Sequence, residues 1–423
     1  MRRLCILFLV LLASCTRERP AADPDLQSEI DRIPAVDNHA HPVRYVPDGQ
    51  APDRFFDALP VDNMEPQSDP VNLRPGAPAI ADAAHTLYGS SDKAAKQRAI
   101  DQRRDAYPAW VLDQAGIETM LANRVEMGPS IQPPRFRWVP YADALLFPLS
   151  TAALGAQNSD RKSFFALENV LLERYLKEAN LTAPPAPLAD YLTLVVTPTL
   201  ERHRQGGAVA EKFEAAYLRS LAFDPVDRAT AERIYARGGT LPQADYKPLQ
   251  DFLFRYIAAE CGRLGMAVHL HTMAGAGGYF DVAGANPLNL ESGLDDPALR
   301  KTNFVMLHGG WPFTREITAL LTKPNAYLDF SAQSLALSPA ALAGIIREWL
   351  EYVPEKVMFG TDAYPYSDEM GWEESLVATS RAGRKALAIA LTAMLRDDEI
   401  TRQRASELAR MVLRENAKRL YKF

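Results

Sequence analysis

An α/β fold, a (β/α)8 TIM barrel with a long insertion after strand 1 and extra C-terminal helices, is predicted from three features of the sequence. Short apolar runs alternate with longer amphipathic stretches, as in repeated β-α units around a parallel sheet. Eight such runs occur, at 35–38, 117–123, 137–145, 208–213, 266–271, 304–308, 326–330 and 357–360. Two end in histidine and a third is followed closely by Asp362, and the C-terminal ends of barrel strands are where catalytic groups from different strands meet. The 423 residues, 47% hydrophobic and 24% charged, suit one barrel with insertions as well as two or three average domains. The spread of the candidate site residues over nearly the whole body decides for a single barrel.

The chain opens on Met1-Arg2-Arg3, an apolar run of ten residues from Leu4 to Ala13, and Ser14-Cys15. This order reads as a secretory signal; the run is too short for a helix to cross a hydrocarbon core of about 30 Å. Leu12-Ala13-Ser14-Cys15 resembles the bacterial lipobox, which implies cleavage before Cys15, lipid on its thiol and attachment to a membrane. The alternative is an ordinary cleaved signal with an incidental cysteine. Thr16 after Cys15 resembles the sorting signal for the outer membrane, with the folded part facing the periplasm. Residues 1–14 are thus expected to be the signal peptide, 15–32 a polar tether and 33–423 the barrel domain, with 42–110 as its insertion.

Eight prolines between residues 42 and 78 exclude a continuous helix or a central strand there. A loop in this place either walls the substrate pocket or meanders over the barrel surface. Helices are expected at 163–179, before the fourth strand, and at 339–352, before the eighth. The segment 373–423 also reads as helical and is expected to pack against the outside of the barrel.

A net charge of −6 and a pI near 5.8 provide no basic stripe for a nucleic-acid backbone, so the expected partner is a small-molecule substrate. Three cysteines, two of them in the first fifteen residues, exclude a disulfide framework and a cysteine-rich zinc module. Cys261 reads as a buried core thiol, and His85 and His203 as surface residues. Gly-x-Ser-x-Gly, His-Glu-x-x-His and Walker motifs do not occur, and Gly275-Ala-Gly277-Gly278 lacks the third glycine of a dinucleotide fingerprint. Any bound metal must therefore be held by histidine and carboxylate.

The strongest local signal is Val36-Asp37-Asn38-His39-Ala40-His41-Pro42, where strand alternation points His39 and His41 to one side and Pro42 ends the strand. Ala267-Val-His-Leu-His271-Thr272, Phe304-Val-Met-Leu-His308 and Val357-Met-Phe-Gly-Thr-Asp362 follow the same pattern of an apolar run ending in a polar residue. Lys212 ends the fourth run, with Tyr217 and Arg219 just beyond. Arg219 is expected either to grip an anionic substrate group bidentately beside Tyr217 or to form a surface salt bridge.

This set resembles the metal-binding residues of the amidohydrolase superfamily. The match runs from His39 to Asp362 in order, and Asn416-Ala-Lys-Arg-Leu-Tyr421 is similar to the ending of its amidohydrolase-related (type 2) branch. The resemblance implies a zinc-dependent hydrolase in which His39, His41, His271, His308 and Asp362 bind metal, with Asp362 and His308 acting in catalysis. His269 is the rival to His271. Lys212 occupies the place where binuclear members carry a carboxylated lysine bridging two ions, as in the domain fused to glutamine synthetase-like domains in some fungal proteins. Two Zn2+ are implied if Lys212 is carboxylated, with His39, His41 and Asp362 on one ion and His271 and His308 on the other. One ion is implied if Lys212 is ion-paired with Glu211 or Glu214. The expected reaction is attack of metal-activated water on an amide, ester or related bond. The alternatives are a mononuclear decarboxylase or lyase of the same fold, or a lipoprotein that only holds a ligand.

Overall fold

A computed structural model describes residues 21–47, 49–59, 70–74, 76–275, 277–367 and 369–423. The expected signal peptide, Cys15 and part of the insertion lie outside the described residues. Among the described residues, no helix is long and apolar enough to cross a membrane.

Eight parallel strands follow one another in space as in sequence: β1 Ala35–Ala40, β2 Ile117–Asn123, β3 Phe136–Val139, β4 Ala210–Phe213, β5 Ala267–His271, β6 Phe304–Leu307, β7 Ala326–Asp329 and β8 Val357–Met358. Strands β1 to β3 and β4 to β8 form two hydrogen-bonded groups. Parallel bridges Trp138/Ala208 and Tyr141/Lys212 join β3 to β4, and Ala40/Ala363 joins the ends of β1 and β8. The ring is thus a (β/α)8 barrel. Every residue of β1, β4, β5 and β6 is buried, as a parallel sheet covered on both sides requires.

All eight predicted strands are present, with one large boundary difference. The third was expected to reach residue 145, but β3 stops at Val139 and Asp143–Leu146 forms a short helical turn. Pro140 has no N–H for the ladder. Its carbonyl still accepts from Lys212 N at 2.7 Å, which fastens the end of β3 to β4. The helix Pro339–Tyr352 has the predicted bounds; Ser338 caps it and Pro339 opens it. The helix expected at 163–179 runs over Ser159–Glu178, capped by the Asn158 side chain, and a further helix, Thr197–Gln205, leads into β4.

The folded body begins earlier than residue 33. Pro24–Asp31 is a helix whose Leu26 and Ile30 are buried, and the N–H of Asp23 donates to Thr392 Oγ1 at 2.9 Å. The expected tether is therefore corrected from Pro24 onward: two apolar residues one helical turn apart are enough to dock it.

The chain end also differs from expectation. Helix Trp372–Arg396 packs outside the barrel as predicted, but Ala417, Leu420, Tyr421 and Phe423 pack against Val36, Leu121, Val139, Ala210, Ala267, Val305, Leu307 and Met358. These residues come from seven of the eight strands and form the inner core. The tail closes the barrel from below, at the N-terminal ends of the strands, while the polar strand ends stay together at the opposite mouth.

The insertion contributes helices Pro78–Tyr88, Lys93–Arg103 and Tyr107–Gln114. Its first part is anchored by a buried pair: the Arg124 guanidinium meets Asp53 at 2.9 and 3.1 Å, and Asp53 also accepts from the N–H groups of Arg44 and Phe55. Burial opposes the Asp53 charge, but Arg124 and the two N–H donors outweigh it and hold the carboxyl below its usual range. A depressed folded pKa contributes stability above the unfolded value of about 3.9 and loses it as pH falls through the folded value. Asp53→Asn is expected to lower the melting temperature at pH 7 and to shrink the further loss between pH 5 and pH 3. Parallel thermal melts of both proteins check this, and equal acid-side losses would overturn it.

Candidate metal centre

Three backbone hydrogen bonds align the ends of β1 and β8. Asn38 N donates to Phe359 O at 3.0 Å, Asp362 N to His39 O at 2.8 Å and His41 N to Ala363 O at 2.8 Å. The Asp37 carboxylate adds two more, accepting from Thr361 N at 2.9 Å and Thr361 Oγ1 at 2.5 Å. Asp362 is thereby set against both histidines: its Oδ1 lies 3.1 Å from His39 Nε2 and 3.5 Å from His41 Nε2. His308 arrives from β6, its ring centroid 4.9 Å from that of His39 and 4.6 Å from that of His271. His39, His308 and Asp362 bring one ligand atom each within 4.8 Å of one another.

Two residues of the centre carry backbone strain. His308 and Asp362 both have left-handed φ, 66° and 57°. Such a conformation costs a non-glycine residue about 1–3 kcal/mol and persists only where neighbours over-determine it. The Asp362 N–H is held by His39 O, and the His308 N–H donates to Asp329 Oδ1 at 3.0 Å. Gly309 follows at φ 55°, and a Cβ there would lie 2.5 Å from the Trp349 ring, so His308-Gly309 tolerates no side chain at its second position.

The electrostatics suit a cation. Burial, with the Lys212 charge adding to it, holds His39 well below the usual imidazole range and takes His308 down to about 4; burial, then His308 and Lys212, does the same to His271. Neutral imidazoles are the metal-binding form. Burial would raise Asp362, but the neighbouring His308 ring and hydrogen bonds from His39 and His41 hold it well below the carboxylate range. The centre therefore offers lone pairs and one negative charge.

Outer partners orient the rings as ligands require. His41 Nδ1 donates to Phe56 O at 3.2 Å, with the Tyr141 hydroxyl at the same distance, which leaves Nε2 for the centre. His308 Nδ1 donates to Ser331 Oγ at 2.8 Å, and Ser331 passes its own proton toward Asp329 Oδ1 at 2.6 Å. His271 Nε2 donates to Met273 O at 2.9 Å, which leaves Nδ1 as its free nitrogen. The Asn123 amide lies 2.5 Å from His39 Nδ1, and its Oδ1 is buried without a partner. With Nε2 committed to a metal, Nδ1–H needs an acceptor, and a half-turn of this amide brings Oδ1 there. The residues present thus fit a divalent ion.

The structure separates the two histidines of β5. His271 is beside His308 and Tyr217, with ring centroids 4.6 and 4.7 Å away. His269 lies lower, its Nε2 donating to the Tyr421 hydroxyl at 2.6 Å, and Tyr421 in turn donates to Asn38 Oδ1 at 2.6 Å. Lys212 is buried, acts electrostatically on His39, His271 and His308, and has Glu214 Oε1 at 4.0 Å. Glu211 points the other way, as strand alternation dictates, and pairs with His203 Nδ1 at 3.0 Å. His203 is accordingly buried, stacked edge-on with Trp138 and Tyr175, and its expected place on the surface is corrected. His85 is exposed and Cys261 buried.

Arg219 does not reach the centre. Its guanidinium donates to Ser220 O, Ala222 O, Gln250 Oε1 and Asp251 Oδ1, lies 4.5 Å over the Phe223 ring and is 1% exposed. The expectation of a substrate grip, and equally that of a surface salt bridge, is corrected to a buried structural ion pair. Asp37, Asn123, Tyr141, Asp329 and Ser331 belong to the site but were not singled out from the sequence. Asn123 and Asp329 close β2 and β7, and the strand-end rule that identified the histidines applies to both.

The insertion walls the centre through Phe56 and Asp57, the latter 3.8 Å from His41 Nδ1, and does not merely cross the surface. Tyr217 and Phe280 pack against His271.

Comparison with known proteins adds the following. A family model described as Amidohydrolase matches residues 208–423, which include Lys212, His271, His308 and Asp362. Protein fluG of Emericella nidulans is 29% identical over 228 residues, 50% of this chain and 25% of that protein, so the chain spans about a quarter of that relative's length. Among solved structures, a Lactobacillus casei protein assigned as a metal-dependent hydrolase superposes with a TM-score of 0.66 at 17% identity, covering 94% of this chain and 97% of that one. The glucuronate isomerase of Caulobacter crescentus superposes at 0.60 with 14% identity, covering 94% and 93%. The uronate isomerase of Thermotoga maritima does so at 0.59 with 11% identity, covering 94% and 96%. At such identities these likenesses establish a shared fold alone.

Proposed function

Because the chain belongs to the amidohydrolase family, we propose that it is a zinc-dependent hydrolase of an amide, ester or related bond in a small molecule. The observation that carries this reading is the convergence within 4.8 Å of His39 and His308, as neutral imidazoles, and Asp362, as an ionised carboxylate, with His41 Nε2 3.5 Å from that carboxylate. His39, His41 and Asp362 would hold one ion, with His271 and His308 facing it. Zinc bound there supplies Lewis acidity and a hydroxide nucleophile near neutral pH. Asp362 takes the proton of the attacking water on a carboxylate oxygen and returns it to the leaving group. His308, its Nδ1 proton held by Ser331 and Asp329, has Nε2 as its free nitrogen for polarising the reacting bond. Tyr217, Phe280 and the insertion around Phe56 exclude bulk water from that bond.

Lys212 decides the metal count. Its carbamate would supply an anionic oxygen between two ions, whereas a free ammonium paired with Glu214 repels a second. The experiment is metal analysis of the purified protein beside Lys212→Ala. About two equivalents of zinc per chain, with activity lost in the variant, support the binuclear hydrolase. One equivalent that survives the substitution points to a mononuclear lyase or decarboxylase. Full activity in His39→Ala would sink both enzymatic readings.

A further inference from the structure

Beside the metal centre lie four buried carboxyl groups that the proposed reaction does not use. Asp57 comes from the insertion after β1, Asp143 from the turn after β3, Glu214 from just beyond β4 and Glu168 from the helix Ser159–Glu178. They sense one another: Asp57 and Asp143 act on Glu168, and all three act on Glu214. Asp57 Oδ2 lies 3.8 Å from His41 Nδ1 and Glu214 Oε1 lies 4.0 Å from Lys212 Nζ, which places the cluster next to the reacting centre.

Some of their oxygens are satisfied. Asp143 Oδ2 accepts from Glu214 N at 2.7 Å, and Asp57 Oδ1 accepts from Leu59 N at 3.2 Å. Others are not: Asp143 Oδ1, Glu214 Oε2 and both carboxylate oxygens of Glu168 are buried with no hydrogen-bond partner. Glu168 is 1% exposed, and its helix packs against the Asp143–Leu146 turn. Each buried acceptor left without a donor costs about 1–3 kcal/mol, so four together call for a group that supplies donors and positive charge. Burial holds Glu168 well above its usual range and Asp143 up to about 7.

A bare metal ion does not match the spacing. Among the described residues the one group that brings three ligand atoms within 4.8 Å is His39, His308 and Asp362; no three of these carboxyls do so. Oxygens around a divalent ion stand about 2.0–2.6 Å from it, so three adjacent ligands lie closer together than that. A guanidinium is broader and planar, carries five N–H donors, and pairs two of them with both oxygens of one carboxylate. The two free oxygens of Glu168 are the matching half of that fork.

We propose that Asp57, Asp143, Glu168 and Glu214 form a subsite for a guanidinium group of the substrate, on the His41 and Lys212 side of the metal centre. This inference rests on the reading of His39, His308 and Asp362 as the reacting centre, and it narrows the substrate class to guanidino compounds.

The test compares N-butylguanidinium with its uncharged counterpart N-butylurea, by calorimetry and thermal shift on the zinc-loaded full chain. N-butylguanidinium is expected to bind at least about tenfold more tightly than N-butylurea, and Glu168→Gln to weaken it about tenfold, as loss of a charge-assisted bidentate pair implies. Glu168→Gln should leave the weak N-butylurea binding, the zinc content and the ligand-free melting temperature unlowered. Should that variant fail to fold, Asp143→Asn carries the same expectation. Equal affinity for the two probes, or guanidinium binding untouched by the substitution, overturns the proposal. So does loss of one zinc equivalent in Glu168→Gln, which would make the cluster a metal site. Binding needs no turnover, so guanidinium binding without hydrolysis of any amide or ester would fail the proposed function and not the subsite.

Discussion

Asp362→Asn is expected to lower kcat/KM by about 10³-fold, the range in which removal of a general acid–base group falls. The amide occupies the same space as the carboxylate, and asparagine tolerates the left-handed φ of 57° at this position, so the fold is not strained by the change. What is lost is the charge held ionised 3.1 Å from His39 and 3.5 Å from His41, and with it the acceptor for the proton of the attacking water. The measurement is kcat/KM together with zinc content and melting temperature. A fall in rate with an unchanged melting temperature assigns the effect to chemistry; turnover at the wild-type rate would remove Asp362 from the mechanism.

Arg219→Ala is expected to act in the opposite way, destabilising the protein by about 3 kcal/mol or more, as does removal of one partner of a buried ion pair. Asp251 would keep Lys247 Nζ at 2.5 Å but lose the guanidinium, and Ser220 O, Ala222 O and Gln250 would lose their donors. Arg219→Lys should rescue little of this, because an ammonium cannot reach four acceptors in one plane. Denaturant unfolding measures the loss. The folded fraction should keep the KM of the parent, since the side chain is enclosed away from the centre; a raised KM at unchanged stability would restore the substrate-gripping role.

The barrel was legible because its signal is local. Strands β2 and β5 and the helix Pro339–Tyr352 follow from runs of apolar residues, a cap and a proline within a few positions. The failures share a different origin. Pro24–Asp31 looked like linker because its own sequence shows only two apolar residues, and its docking depends on Thr392 and the helix Trp372–Arg396, more than 340 positions away. His203 looked exposed because polar residues surround it in sequence; Glu211, Trp138 and Tyr175 surround it in space.

The same division runs through the site. From the sequence alone one can determine that His39, His41, His271, His308 and Asp362 stand at the ends of apolar strands, because strand periodicity and barrel geometry are short-range rules. Only the tertiary structure decides that His271 rather than His269 adjoins His308, since Tyr421 enters from the far end of the chain and takes His269. It alone decides that Arg219 is enclosed with Asp251, and that Asp57, Asp143, Glu168 and Glu214 meet at all. Those outcomes depend on which distant carboxylates, carbonyls and hydroxyls each side chain meets once water is excluded, and chain closure rather than local pattern sets those distances.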